Sequence, residues 1–472
     1  MSQGGGGVPF EKQPWYKKIF LMWTHSAAHH ISEKWLYEWK FEPLVVIPAA
    51  FIVFIIIVAS VDPEAISATL AMAVALSPVW LPVFLAVFFW ITWMHYIRYA
   101  FWFSRKTVLL EIQLPPEVQK SPLAMELFFN GIHNAGGEGT FLARIWEGKF
   151  RAIFSLEIAS NEGQIKFYIH CPVGWKNVLE AKLYGQYPEA RIIEVEDYAA
   201  RIPFSNEEYG LWATEFNKTA NHAVPIKSYI DYGLDKNQDK PETTVDPMTN
   251  MLEYMGQIGQ GEYIWLQIIM KARKNEEWYG FYKGGNAWAD LATKATKEIT
   301  AGAIKRAQEL VEDDAEKKKV GARGAMLLSP GERLKVEAIE RGQTKNVYEC
   351  GIRGMYLGKK DNYNGVNVGN LVTIFGAFKQ VGYNSIMPGR GLDWFDFPWQ
   401  DWRNIRQNRM RLAQFFRYRH RAYFYVPYDQ VPVYMTTEEL ATIWHFPSSV
   451  VQTPALDRVP SRRSDAPLNL PT

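Results

Sequence analysis

The chain has 472 residues, 48% hydrophobic and 22% charged, and 52 lysines and arginines against 50 acidic residues leave a formal charge of +2. That balance excludes a partner chosen by global charge, so any nucleic-acid or lipid signal must come from local clusters. Its only cysteines, Cys171 and Cys350, stand far apart in no metal or redox spacing, which predicts reduced structural thiols rather than a disulfide framework.

Residues 1–42 read as a flexible leader, with glycines at 4–7, followed by an interfacial helix over 14–40 that mixes Trp, Phe and Leu with Lys. His25 and His29 stand four apart, as two zinc ligands on a helix would. The stretch HSAAH lacks the glutamate of the hydrolytic motif, and beside a membrane an interfacial polar face accounts for it better. Residues 43–103 predict a transmembrane helical hairpin, with spans over 43–61 and 79–101, since a crossing needs about 20 mostly apolar residues. The connector carries Asp62 and Glu64 and no cation, whereas Lys34, Lys40, Arg98, Arg105 and Lys106 flank the outer sides. By the positive-inside rule both termini face the cytoplasm. Trp90, Trp93, Tyr96, Arg98 and Trp102 are the candidate membrane-interface residues, together with Tyr99.

After Thr107 the pattern changes to short alternating runs. VLLEIQLP predicts a strand, SPLAMELFFNGIHNA a helix with Ser121 at its N-cap, FRAIFSLEIAS and QIKFYIHCP a hairpin, WKNVLEAKLYGQYP a helix and ARIIEVEDY a strand. The fold class expected is therefore α+β: residues 107–199 form a first ferredoxin-like (βαββαβ) unit, with one sheet face left open for binding. Residues 207–435 predict a second, elaborated copy. Its elements are a strand near HAVPIKSYIDYG, a helix DPMTNMLEYMGQI, strands EYIWLQIIMKAR and VYECGIRGMYLG, and a helix NVGNLVTIFGAFKQV. Within this copy, 288–341 predict a helical arm: an amphipathic helix over 288–319 stopped by Gly321, then a helix over 330–341 opened by a Ser329/Glu332 capping box. Residues 436–472 predict a short helix and, from Phe446, an extended Pro-rich tail.

No phosphate-binding loop GxxxxGK[ST] occurs, and the glycine cluster YGFYKGGNAW has no lysine followed by a hydroxyl residue and lacks the preceding buried strand. Glu194, Glu196 and Asp197 close a strand as a solvated edge. No nucleophile sits in a recognisable setting, so neither a catalytic residue, a cofactor site nor a metal site is expected. The sharpest cluster lies in residues 400–428. Arg403, Arg406 and Arg409 recur at helical spacing, and Arg417, Arg419 and Arg421 alternate as along a strand. This cluster suits pairing within or between proteins, an anionic lipid surface, or nucleic acid.

Residues 154–198 (FSLEIASNEGQIKFYIHCPVGWKNVLEAKLYGQYPEARIIEVEDY) and 436–471 (TTEELATIWHFPSSVVQTPALDRVPSRRSDAPLNLP) carry a likeness. They resemble the amino-terminal, non-ATPase region of membrane-anchored type IV secretion and conjugation ATPases of the HerA/FtsK kind, as found in candidate-phylum bacteria. In that family the stretch matching ELATIWHFP leads into a motor domain with its phosphate-binding loop. The sequence through Thr472 carries no such loop, so the resemblance implies the accessory half alone. The expectation is a non-enzymatic scaffold anchored in the bacterial inner membrane, a homo-oligomer whose partners are the lipid bilayer and a separately encoded HerA/FtsK-type ATPase. The alternative is a membrane-tethered nucleic-acid binder guiding DNA to a translocation pore.

Overall fold

The computed structural model describes residues 52–447 except 54, 59, 61, 116–119, 135–136, 236–245, 275–277, 280–281, 284–286, 310–327, 392–394, 396–399 and 426–429. The leader, the interfacial helix, most of the first span, Gly321 and the tail after Pro447 lie outside the described residues.

Helix α1 (Pro63–Ala75) and helix α2 (Ser77–Ser104) meet at Leu76, where Pro78 opens the second helix. The connector expected between two spans is thus itself helical, its first turn carrying Glu64 beside the positive end of the helix dipole. Helix α2 has 28 residues and is long and apolar enough to cross a membrane, and none of its most apolar window is buried. Only its last turns enter the body, where Ile97 and Tyr99 are buried.

A first set of elements runs β1 (Thr107–Gln113), α3 (Pro122–Ile132), α4 (Phe141–Trp146), β2 (Ile153–Asn161), β3 (Gln164–Pro172), α5 (Lys176–Gln186) and β4 (Arg191–Val195). A second runs β5 (Tyr209–Lys218), α6 (Met248–Gly256), β6 (Glu262–Ala272), a short β7–β8 pair (Trp278–Tyr279, Tyr282–Lys283), α7 (Ala287–Glu309), α8 (Pro330–Gln343), β9 (Val347–Lys359), α9 (Gly365–Val372) and β10 (Ile386–Gly391). In space the strands lie β10–β5–β9–β6–β2–β3–β1–β4, every neighbouring pair antiparallel. Each set therefore has its fourth strand beside its first, its third next and its second innermost, and the two sets join edge to edge through β2 and β6. That join spans Ile153↔Lys271 to Asn161↔Tyr263, which leaves neither strand as a free edge.

One sheet face carries Leu156, Ile158, Ile169, Ile268, Ile352 and their neighbours under α3, α5, α6 and α9. Helix α11 (Thr437–Ile443) is driven into the same layer, following β11 (Val433–Thr436), which pairs with β9. All residues from Thr436 to Phe446 are buried, so Phe446, expected to open a loose tail, belongs to the core. A Thr436/Glu439 capping box starts α11, and Lys218 Nζ lies 2.6 Å from Glu439 Oε1 in a fully buried pair.

Three expectations are corrected. The first strand of the second set is Tyr209–Lys218, and residues 222–233 form turns instead. Pro225 has no N–H to offer a ladder, and the donors that follow are captured by α11: Ile226 N to Glu439 Oε1 at 3.0 Å and Tyr229 N to Thr442 Oγ1 at 2.9 Å. Residues 417–419 belong to helix α10 (Ile405–Arg419), not to a strand. Asp401 opens that helix by accepting from Arg406 N and Gln407 N, both at 2.8 Å, while Arg403 precedes it at φ 53°. Finally, the sheet face expected to stay open is partly covered: Trp265 packs against Phe415, Tyr418 and Tyr198, and Tyr423 lies over Gly351.

The capping box at Ser329 and Glu332 forms, and α7 packs on α8, with Trp288, Ala292, Ala295 and Ile339 as their shared core.

Candidate functional site

The covered face bears a polar row in strict register. Glu111 of β1, Tyr168 of β3, Glu157 of β2, Gln267 of β6, Arg353 of β9 and Glu215 of β5 stand opposite one another in turn. All are buried. A charge so placed requires a partner. Arg421 supplies it from the segment after α10: Nε reaches Glu157 Oε1 at 2.9 Å and Nη2 reaches Oε2 at 3.0 Å, a bidentate pair. Its Nη1 also donates to Asp197, and to the Arg419 carbonyl at 2.8 Å.

Glu157 is fully engaged. Ser155 Oγ and Gln267 Nε2 donate to Oε1 at 2.7 and 3.0 Å, and Tyr198 OH donates to Oε2 at 2.8 Å. Tyr198 OH in turn lies 2.7 Å from Tyr418 OH. In the second set, Arg353 donates to Glu215 Oε1 and to the Ala422 carbonyl, both at 3.0 Å. Burial alone would raise the Glu157 carboxyl, but the Arg421 charge and the surrounding donors hold it below its ordinary value. Burial, with the Glu157 charge, pushes Tyr198 and Tyr418 well up. Burial, and then Arg421, presses His170 down to about 3. These shifts favour an ionised Glu157 and Arg421 and a neutral Tyr198, Tyr418 and His170.

Beside this network a cleft of about 250 Å³ opens at the foot of α2, lined by Trp102, Phe103, Arg105, His170, Arg419 and Asp197 among others. Asp197 is occupied by Arg421, which leaves Arg105 and Arg419 to give the cleft a cationic lining suited to an anionic group.

The six arginines expected to act together differ in their settings. Arg421 is buried in the ion pair, and Arg406 donates from Nη1 to the Gln400 carbonyl at 2.9 Å with its guanidinium 4.9 Å from the Phe395 ring. Arg403, Arg409 and Arg419 are exposed and Arg417 is half-buried. Asp197, expected on a solvated edge, is instead a partner of Arg421, while Glu194 meets Lys176 at 2.6 Å and Glu196 is exposed. The signal for this network was the lone acid in FSLEIAS, since a carboxylate within a strand buried on both faces must be paired.

The membrane-interface candidates also divide. Trp90 and Tyr96 are about half exposed, at 50% and 52%, and Arg98 is exposed. Trp93 Nε1 donates to the Ile145 carbonyl at 2.9 Å. Trp102 belongs to a protein joint, stacked on Phe150 at 5.8 Å and lying 5.0 Å from Tyr425. Both cysteines are buried free thiols, and burial pushes Cys171 up to about 12. Among the described residues no group of three or more His, Cys, Asp and Glu is placed to hold a metal, and His25 and His29 lie outside them.

No protein-family model matches the chain, and no curated protein matches it significantly.

Proposed function

We propose that this protein is a non-catalytic scaffold, tethered to the bacterial inner membrane by a helical hairpin and presenting its α+β body on the cytoplasmic side. The observation that carries the reading is helix α2, whose apolar side chains stand out from the body, Val83 at 62%, Phe84 at 51% and Phe89 at 63% exposed. Leaving each such side chain in water costs ~1.5–3 kcal/mol, which hydrocarbon relieves. At its far end Ile97, Tyr99 and Trp102 seat the helix firmly in the body, as a tether requires.

The body supports binding over catalysis. General acids and bases work best with pKa values near the operating pH, whereas Glu157, Tyr198, Tyr418 and His170 are all driven away from neutrality. Two ferredoxin-like units are supported by the repeated strand order and by helices gathered on one face. The likeness of residues 154–198 and 436–471 to the non-ATPase region of HerA/FtsK-type secretion ATPases supports a role in docking such a motor, with copies of the chain assembling around it. Copurification at native expression tests this reading. Recovery of an ATPase bearing a phosphate-binding loop, together with a self-assembled form, is the expected result; a solitary monomer overturns it.

A second reading, a membrane-tethered nucleic-acid binder, draws on the exposed Arg409 and Arg419 of α10, on Arg403 in the turn before it and on Trp402, 70% exposed. It requires binding that weakens steeply with salt and falls when these arginines are replaced.

A further inference from the structure

Helix α4 (Phe141–Trp146) is six residues long, yet it exposes three large apolar side chains: Phe141 at 45%, Leu142 at 68% and Trp146 at 70%. Ala143 faces inward, and Thr140 caps the helix by accepting from Ala143 N at 3.3 Å. Isolated exposed apolar residues are ordinary, but a contiguous group marks a contact surface.

Its position names the occupant. Trp146 lies 5.4 Å from Trp93 of α2, and Trp93 donates to the Ile145 carbonyl. One turn further, Gly148, at φ 71°, is pressed so closely on the Ile97 carbonyl that no side chain would fit. Helix α2 starts at Ser77 and rises ~1.5 Å per residue, so it completes a hydrocarbon thickness of about 30 Å near Ile97. Helix α4 therefore stands beside α2 at the depth where the crossing ends. Trp93 joins Trp146 to Phe89, whose ring it stacks on at 6.1 Å, and the nearby cations are the exposed Arg98, Arg144, 3.6 Å from Glu138, and Lys149, 2.7 Å from Glu147. Aromatic rings with flanking cations suit the headgroup layer of an anionic leaflet.

We propose that α4 is a second membrane contact, seated at the headgroup–acyl boundary through Phe141, Leu142 and Trp146. This rests on α2 crossing the bilayer. A hairpin joined to the body through α2 would let the body swivel about that helix, whereas a further contact beside it fixes which side of the sheet faces the lipid.

The test uses the full chain reconstituted in phosphatidylcholine–phosphatidylglycerol vesicles, carrying one environment-sensitive thiol label at Leu142→Cys, Phe84→Cys or Val381→Cys. Cys171 and Cys350 are buried, and the unsubstituted chain controls for their labelling. Val381 is 100% exposed and serves as the aqueous reference. The label at Phe84→Cys should be quenched by nitroxide near the lipid chain ends. The label at Leu142→Cys should be quenched by nitroxide near the headgroup and reduced by aqueous dithionite at least ~threefold more slowly than at Val381→Cys. A charged Trp146→Glu replacement should abolish the headgroup quenching at Leu142→Cys while leaving the Phe84→Cys signal intact. If Phe84→Cys is in lipid but Leu142→Cys is as accessible as Val381→Cys, the second contact is overturned and the tether stands. If Phe84→Cys is itself in water, the tether fails and this contact with it.

Discussion

Glu157 and Arg421 are 264 positions apart, yet their pairing decides how the second sheet face is closed. Both side chains are buried, so removing one partner strands an uncompensated charge. Arg421→Ala should cost about 3–5 kcal/mol, read as a drop in the urea midpoint of the detergent-solubilised protein. The double replacement Glu157→Gln with Arg421→Met should recover much of that loss, since it removes both charges of the pair and leaves only the partly exposed Asp197 without its cation. Arg403→Ala, on an exposed side chain, should change the midpoint by no more than about 0.5 kcal/mol. Acid acts through the same neighbourhood. His170 is held at about 3 against an ordinary 6.5, so below pH 6.5 the unfolded chain binds a proton that the folded chain refuses. Stability should therefore fall from pH 6.5 downward, by at most about 1.4 kcal/mol per unit from this residue. Glu157, whose folded value is depressed, adds its loss only as pH drops below the ordinary 4.5. A pH series of urea midpoints checks the order, and His170→Gln should flatten the slope between pH 6.5 and 4.5.

At the scale of elements, Gly351 shows how the covering segment docks. A Cβ at that position would overlap the Tyr423 ring, which belongs to the segment leading away from Arg421. Gly351→Ala should destabilise by ~1–3 kcal/mol and raise hydrogen exchange in α10 more than in β2 or β3. Most of the first set was legible because its strands are apolar or alternating and α3 opens on Ser121 and Pro122, whereas the six-residue α4 is too short to leave a period. The second set was legible only in part. YGLWATEFNK was passed over for HAVPIKSYIDYG, whose apolar residues are real core positions: Ile226 and Tyr229 are both buried, yet held by α11 in turns. Arginines two apart at 417, 419 and 421 imitate a strand, and only the Asp401 cap upstream tells that a helix is running. The sequence groups six arginines without singling out Arg421 as the cation that meets Glu157, because that pairing is long-range and no local pattern encodes it.

Among the described residues, the strands other than β7 and β8 form one nine-stranded sheet, the join between the two strand sets lying at β2 and β6. The polar row crosses that join without a break. The proposed tether requires α2 to be fixed in lipid, which its exposed apolar surface favours. The most direct test is thiol accessibility in intact cells expressing the full chain with a single added cysteine at Thr69 or Val381. A membrane-impermeant maleimide should label Thr69→Cys from outside the inner membrane and reach Val381→Cys only after the cells are lysed. Labelling of both in intact cells, labelling of Val381→Cys alone, or recovery of the chain in the soluble fraction without detergent would contradict the account.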